Sequence, residues 1–430
     1  MKLAIRYIKQ TSNGVEEDIE KLVYESVFEN NEEAAKEIRK RAEDQGIKLA
    51  STHDLYKARA KNEWDGFSVP AFNIRTLTFD TSRAIFRQVL KKKVGAFIFE
   101  IARSEIGYTD QKMSEYVTVI LAAAIKEEFS GILFFQGDHF QIKAEKFFDE
   151  KQKDEEILTV KKLIKESIEA GAYNIDIDCS TLVELKEEDL KKQQKYNFEL
   201  TALLTFYIRQ LEPKNITISI GGEVGEIGGR NSTPEDIKVF IEGYNEEMKK
   251  IGKNEVEGLT KIAVQTGATH GGIVLPSGEL KKVDIDFETL KELSKEARKY
   301  DMGGAVQHGA STLPEEYFDR FLEAEAVEVH LATAFQNIVY DSPYFPAELK
   351  EKISDWLKKE AINERKPDQT EEQFLYKARK KALGPFKKEI WGIPQEDKDK
   401  ISGELEKKFA VIFEKLGVEN TVDLINKYYS

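Results

Sequence analysis

Ile132-Leu133-Phe134-Phe135-Gln136-Gly137-Asp138-His139 is the stretch on which the reading of this chain turns. The apolar run, opened by Gly131, has the length of a strand buried on both faces. An Asp and a His at the end of such a strand stand where α/β folds keep their chemistry. Alone, the pair reads equally well as a capping Asp and a core-edge His. Three further stretches close apolar runs in the same way: Ala268-Thr269-His270-Gly271-Gly272, Val306-Gln307-His308-Gly309-Ala310-Ser311 and Gly221-Gly222-Glu223-Val224-Gly225. If these ends converge, His139, His270 and His308 meet a carboxylate in one pocket. Three neutral imidazole nitrogens with one oxygen or water make a zinc-type ligand set.

Around this stretch the chain alternates between strand and helix patterns. The spacing predicts strands at Val69–Ile74, Gly95–Ile101, Ile132–Gln136, Tyr173–Asp178, Asn215–Ile220, Lys261–Gln265, Gly304–Gln307 and Ala326–Leu331, with helix-patterned segments between them. Such alternation implies a parallel sheet with right-handed crossovers, and eight units close a (β/α)8 TIM barrel. An open doubly wound sheet fits less well, because it would gather polar residues at one switch point, not at nearly every strand end. Residues 1–48 read as an N-terminal helical extension, 49–340 as the barrel and 341–430 as a C-terminal helical extension. Lys143 to Glu156 reads as a charged, helix-rich excursion over the barrel mouth. His53, in the first turn of a helix capped from Ser51-Thr52, is expected to be a polar surface residue.

Composition narrows the function classes. A formal net charge of -13 argues against a nucleic-acid surface, and the interspersed charges read as solubility. Apolar residues make up 40%, enough for a large core. No run reaches membrane-spanning length and Met1 to Gln10 lacks a secretion signal's apolar core, so a cytoplasmic protein is expected. The single cysteine, Cys179, excludes an internal disulfide and is expected to be a small buried filler.

With the barrel assumed, Asp138 and His139 diverge by strand alternation, so that one can bind a metal while the other faces a substrate. His270 and His308 would complete the metal set, with Glu223 and Asp178 as additional or alternative ligands. Gly271-Gly272 and Gly309-Ala310-Ser311 offer backbone N–H groups and a hydroxyl for a phosphate dianion. Thr333 could add a second hydroxyl. Each such glycine also fits an ordinary βα turn. Arg379, in the basic cluster Lys377–Lys381, is a candidate phosphate contact, although the cluster reads most simply as a solvated helix face. A metal, an acid and a phosphate cradle point to a carbonyl substrate: the ion would chelate a keto-sugar phosphate and stabilise an enediolate, while Asp138 passes the proton of the hydroxyl at the broken carbon–carbon bond.

Val69-Pro70-Ala71-Phe72-Asn73, Asp138-His139, Asp178-Cys179-Ser180, Glu223-Val224-Gly225 with Ile227-Gly228-Gly229, Thr269-His270-Gly271 and His308-Gly309-Ala310-Ser311 resemble, in order, the motifs of metal-dependent class II fructose-bisphosphate aldolases. The resemblance spans about Ser51 to Gln336. It implies zinc, or another divalent metal, on His139, His270 and His308, with Glu223 and Asp178 beside it and Asp138 as catalytic acid. It implies a sugar-phosphate substrate held by Asn73, Gly271, Gly309, Ser311 and Thr333, and a homodimer or homotetramer. Several positions depart from the pattern. Gly228-Gly229-Arg230-Asn231-Ser232 runs directly into a helix opening at Thr233-Pro234-Glu235-Asp236, so the loop acid that should abstract the ketone proton has no assigned residue, and Glu226 is a poor substitute. His330 stands where the family has Asn; it could serve as that base, bind a second metal or merely fill the position. Ile273-Val274 replaces the usual Tyr-Lys, and Ala310 a glycine. A ketose or ketose-phosphate 4-epimerase working by retro-aldol cleavage and re-addition would need no loop base, and a non-catalytic barrel subunit would need no metal.

Overall fold

The computed structural model describes residues 15–225, 230–252, 256–267, 273–274, 280–281 and 285–429. Eight parallel strands form the centre: β1 (Val69–Asn73), β2 (Ile98–Ala102), β3 (Gly131–Gln141), β4 (Asn174–Asp178), β5 (Ser219–Glu223), β6 (Lys261–Ala263), β7 (Ala305–Gln307) and β8 (Glu328–Leu331). Each pairs with the next, and β8 returns to β1 through Glu328↔Val69 to Leu331↔Phe72, so the sheet closes into a (β/α)8 barrel. An antiparallel pair, Ile273–Val274 with Leu280–Lys281, lies in the β6–β7 connection.

All eight expected strands are present with shifted ends, and two differ most in extent. β5 begins at Ser219, not Asn215, because a turn from Pro213 to Ile216 takes up the first residues of the apolar run. It continues through Gly221, where a Cβ would fall 2.3 Å from Asp176 Oδ1 and 3.0 Å from Lys261 Cε. Only glycine leaves room there for side chains from β4 and β6. β3 runs five residues past Gln136, with a register shift against β4 between Gly137 and Phe140. The Phe140 ring folds back over Gly137, where a Cβ would meet it at 2.2 Å.

Between strands and helices lies an aromatic layer. Phe86, Phe97, Phe99 and Phe129 pack together on one side, and Phe72 meets Phe335, Phe409 and Phe413 on another. Phe409 and Phe413 belong to the helix Gln395–Lys415, so the C-terminal extension completes the barrel's outer shell. At the N-terminal side, helices Val15–Phe28 and Glu32–Asp44 lead into a ninth strand, Ile47–Ala50, parallel to β3. The expected boundary after residue 48 falls inside this strand. Ser51 and Thr52 then close the barrel's lower end by hydrogen bonds to Asn174 and Ser219. His53 is not the surface residue expected: it is 6% exposed. Burial and the nearby Arg209 guanidinium hold its pKa near 4, so it is neutral. The excursion after β3 consists of a short helix, Ala144–Phe147, and the start of the helix Lys153–Ala170. Among the described residues no helix is long and apolar enough to cross a membrane.

The barrel interior is charged where a hydrocarbon core is usual. Lys261 of β6, fully buried, places Nζ 2.5 Å from Glu328 of β8, 2.6 Å from Gln136 of β3 and 3.0 Å from Asp176 of β4. Tyr56, from the helix His53–Ala60 below, donates its hydroxyl to Glu328. Burial raises the Glu328 carboxyl, but Lys261 and His330 outweigh it and hold the pKa at about 2. Lys261→Met would leave two buried carboxylates without their cation and should destabilise the fold by about 3–5 kcal/mol, read from the urea midpoint at neutral pH. Because Glu328 is depressed, its contribution is complete above its ordinary pKa of 4.5 and is lost as pH falls from there to about 2. That acid limb should shrink in the variant, and a variant as stable as wild type would refute the assignment.

Candidate functional site

The C-terminal strand ends open into a cavity of about 500 Å³. Asn73, Asp138, His139, Asp178, Glu223, His308, Gly309, Ser311, His330 and Thr333 all line it. His270, Gly271 and Glu226 lie outside the described residues.

The β3 bulge gives Asp138 and His139 opposite tasks. His139 adopts a left-handed backbone, φ 41°, which for a non-glycine residue costs on the order of 1 kcal/mol or more and is common where a site dictates side-chain direction. Its Nδ1 lies 3.0 Å from Asp178 and 3.3 Å from Glu223. The His308 ring stands 4.4 Å from it, centre to centre. Donor atoms of His139, Glu223 and His308 fall within 4.8 Å of one another, a mixed nitrogen and oxygen set that fits a divalent transition-metal ion. Asp178 is fixed by Ser180 and Gln141, with Gln141 Nε2 donating at 2.6 Å and the Ser180 hydroxyl at 2.7 Å. Such outer partners hold a ligand set in shape before an ion arrives.

Charge is dense here. Burial raises Glu223 to about 7, with Asp178 adding to the effect. Burial would lower His139, yet Asp138, Asp178 and Glu223 reverse this and raise it well above the ordinary value. Proton and cation compete for the same nitrogen, so an ion held there would displace a proton. Asp138 faces the other way, with Oδ1 3.3 Å from His330 Nδ1. Burial raises its pKa, but His139, His330 and His308 outweigh that and hold it well below the carboxylate range. His330 is clasped in turn between Glu328, 2.6 Å from Nε2, and Glu100, 3.0 Å from Nδ1.

A second region of the cavity gathers cations and hydroxyls of the kind that suit an anion. Gly309, at φ 71°, turns the chain after β7, and Ser311 stands against the start of the helix Thr333–Asp341, where its hydroxyl accepts from Ala334 N–H. Arg75 donates to Thr333 at 3.2 Å and is anchored by Glu105, which also accepts from Asn73. Lys380 lines the same wall, between Arg75 and the Tyr108 ring, and pairs with no carboxylate among the described residues. Burial first, then the Arg75 charge, lowers its pKa. A bound anion would offset the Arg75 repulsion and favour the charged amine. Arg379 does not reach the cavity: its guanidinium is committed to Asp341 at 2.7 Å and to Asn337. Arg75 and Lys380 were missed in the sequence; Arg75 lies two residues beyond Asn73 and could have been found as a cation just past a strand end.

The description "Fructose-bisphosphate aldolase class-II" belongs to the family model that matches residues 51–388. Among solved structures, the chain is similar to a probable tagatose 6 phosphate kinase from Sinorhizobium meliloti 1021, at 15% identity over 84% of this chain and 99% of the other, TM-score 0.58. It is similar to fructuronate-tagaturonate epimerase UxaE from Cohnella laeviribosi, at 13% identity over 82% of each chain, TM-score 0.55. It is also similar to fructose-bisphosphate aldolase from Campylobacter jejuni, at 16% identity over 87% of this chain and 97% of the other, TM-score 0.50. At these identities the likeness is one of fold.

Replacing Lys380 by Met should weaken binding of inorganic phosphate by roughly tenfold or more, measured by calorimetry, since a charge-assisted contact is lost. Arg379→Met should change it by less than about twofold. The reverse order would show that the anion lies elsewhere.

Proposed function

The chain belongs to the class II fructose-bisphosphate aldolase family, and on that premise we propose that it is a zinc-dependent aldolase acting on the C3–C4 bond of a ketose phosphate. The substrate proposed is fructose 1,6-bisphosphate, cleaved to dihydroxyacetone phosphate and glyceraldehyde 3-phosphate. One observation carries the reading: a single cavity joins the His139–Glu223–His308 cluster, the divergent Asp138 and the anion wall of Arg75, Ser311, Thr333 and Lys380. His139, Glu223 and His308 would hold an ion that would supply Lewis-acid polarisation of the ketone and its neighbouring hydroxyl.

The chain's own residues divide the remaining work. Asp178 and Glu223 hold His139 in its strained orientation. The Ser311 hydroxyl, the Gly309 turn, Arg75 and Lys380 fix a phosphate and so set the distance of the scissile bond from the imidazoles. Asp138, kept ionised by the surrounding rings, is the acceptor that cleavage needs first. It takes the proton of the C4 hydroxyl and returns it in condensation.

A specific observation favours a second reading. Beyond β5, Glu235 and Asp236 occupy the first turn of the helix Pro234–Ile251, and Asp236 is bound to Arg230 and Thr233. Neither lines the cavity, so among the described residues neither is placed to deprotonate the free ketone and return the proton to its enediolate. A 4-epimerase, which cleaves, turns the aldehyde and rejoins it, uses the same ion and Asp138 without that base.

Incubation of the purified protein with fructose 1,6-bisphosphate should release triose phosphates in a coupled assay, with activity lost to a chelator and restored by Zn²⁺. Asp138→Asn should lower kcat by roughly two to four orders of magnitude. A C4-epimeric ketose appearing without trioses would favour the epimerase, and turnover in the chelated protein would overturn both.

A further inference from the structure

One carboxylate stands behind the anion wall. Glu105 is buried at the third position of the helix Arg103–Thr109, which opens directly after β2. Its Oε2 accepts from Asn73 Nδ2 and from the Ala102 N–H at the head of its own helix, the latter at 2.8 Å. Its Oε1 accepts from Arg75 Nε at 2.8 Å and lies 2.7 Å from a second nitrogen of the same guanidinium. Two side chains at the end of β1 thus hang on the two oxygens of one group, and the helix holds that group still.

The carboxylate dictates what these side chains present. It accepts hydrogen bonds and donates none, so the Asn73 amide turns its NH2 toward Glu105 and its carbonyl away. Asn73 is 2% exposed and lines the cavity, and its Oδ1 is buried with no hydrogen-bond partner among the described residues. The strand end cannot turn to satisfy it, because the Tyr116 hydroxyl donates to Phe72 C=O at 3.3 Å and accepts from Ile74 N–H at 3.2 Å. A buried acceptor without a partner is unfavourable, and a ligand hydroxyl would supply the missing bond. Arg75, engaged through Nε and that second nitrogen, keeps Nη1 for the Thr333 side of the cavity.

We propose that Glu105 is a positioning residue that sets what this wall recognises: an oxyanion on Arg75 with a hydroxyl donor beside it on Asn73 Oδ1. It acts through both residues, by fixing the polarity of an amide and the direction of a guanidinium at one spacing. The wall is then selective for the phosphate ester of a polyol over that of a plain alcohol. The inference rests on this wall being the phosphate grip of the proposed function, and its test needs neither an ion nor turnover.

Calorimetry on the full-length, chelator-treated protein should compare glycerol 3-phosphate with propyl phosphate, which has the same chain length and no hydroxyl. The wild type should bind glycerol 3-phosphate roughly threefold to tenfold more tightly, the worth of one hydrogen bond. Methoxyethyl phosphate, which carries only an acceptor, should bind no better than propyl phosphate, because the Asn73 amide is locked with its carbonyl toward the ligand. Glu105→Gln, whose own amide both donates and accepts, frees Asn73 to flip, and the ratio should fall to about one. Asn73→Leu should lower it in the same way with Glu105 and Arg75 in place. A purely structural role for Glu105 would weaken all three phosphates in Glu105→Gln and keep the wild-type ratio, which would overturn the positioning role. A wild-type ratio of one, or methoxyethyl phosphate bound as tightly as glycerol 3-phosphate, would overturn it even if a variant fails to fold, and would leave the proposed function standing. Failure of every phosphate to bind the wild type would overturn the anion wall and the phosphate grip with it.

Discussion

Lys261 is the group on which the upper half of the barrel depends. An ammonium taken out of water costs several kcal/mol unless its partners are in place, and here they come from three other strands: Gln136, Asp176 and Glu328. The contact fixes the relative height of β3, β4, β6 and β8 more tightly than apolar packing would, because an ion pair loses energy with small displacements that a methyl group tolerates. Glu328 passes the constraint to His330, and His330 passes it to Asp138. Asp138 is therefore positioned from below by a chain of charges whose root is one lysine.

The reach of the sequence follows from what periodicity can and cannot encode. Alternation of apolar runs with helix patterns delivers the barrel, and residues at the ends of those runs, such as His139, His308 and Glu223, meet because closure of eight strands brings every end to one rim. Lys261 and Glu328 are illegible by the same logic: within a run they look like outward-facing charges, and only closure turns them inward. Arg379 and Lys380 show a finer limit. Adjacent residues on one helical turn point about 100° apart, so a basic cluster marks the segment but not which member faces the cavity. The early end expected for β5 has a comparable cause, since Gly221-Gly222 reads as a strand terminator when the neighbours that require glycine are unknown.

Two kinds of electrostatic work are segregated within the cavity. On the β3–β5 side, carboxylates outnumber cations and raise the affinity of imidazoles for protons or metal ions. On the β1–β8 side, Arg75 and Lys380 create a deficit of negative charge close to the Ser311 hydroxyl. A molecule with an anionic group at one end is turned with that end toward the β1–β8 side by this gradient before any contact forms. The C-terminal extension is part of this arrangement, since it supplies Lys380 to the wall and Phe409 and Phe413 to the shell behind β1.

The stopper formed by Ser51, Thr52 and Tyr56 carries a consequence for how the protein can be cut. Tyr56 touches Glu328 from beneath, so the segment before β1 insulates the ionic column from bulk solvent as well as capping the strands. A fragment trimmed to the first barrel strand would retain every residue of the cavity and yet admit water from the opposite side, raising the local permittivity around Lys261 and loosening residues some distance above. The shortest self-sufficient unit is thus set by hydration of the interior, not by the outline of the catalytic face.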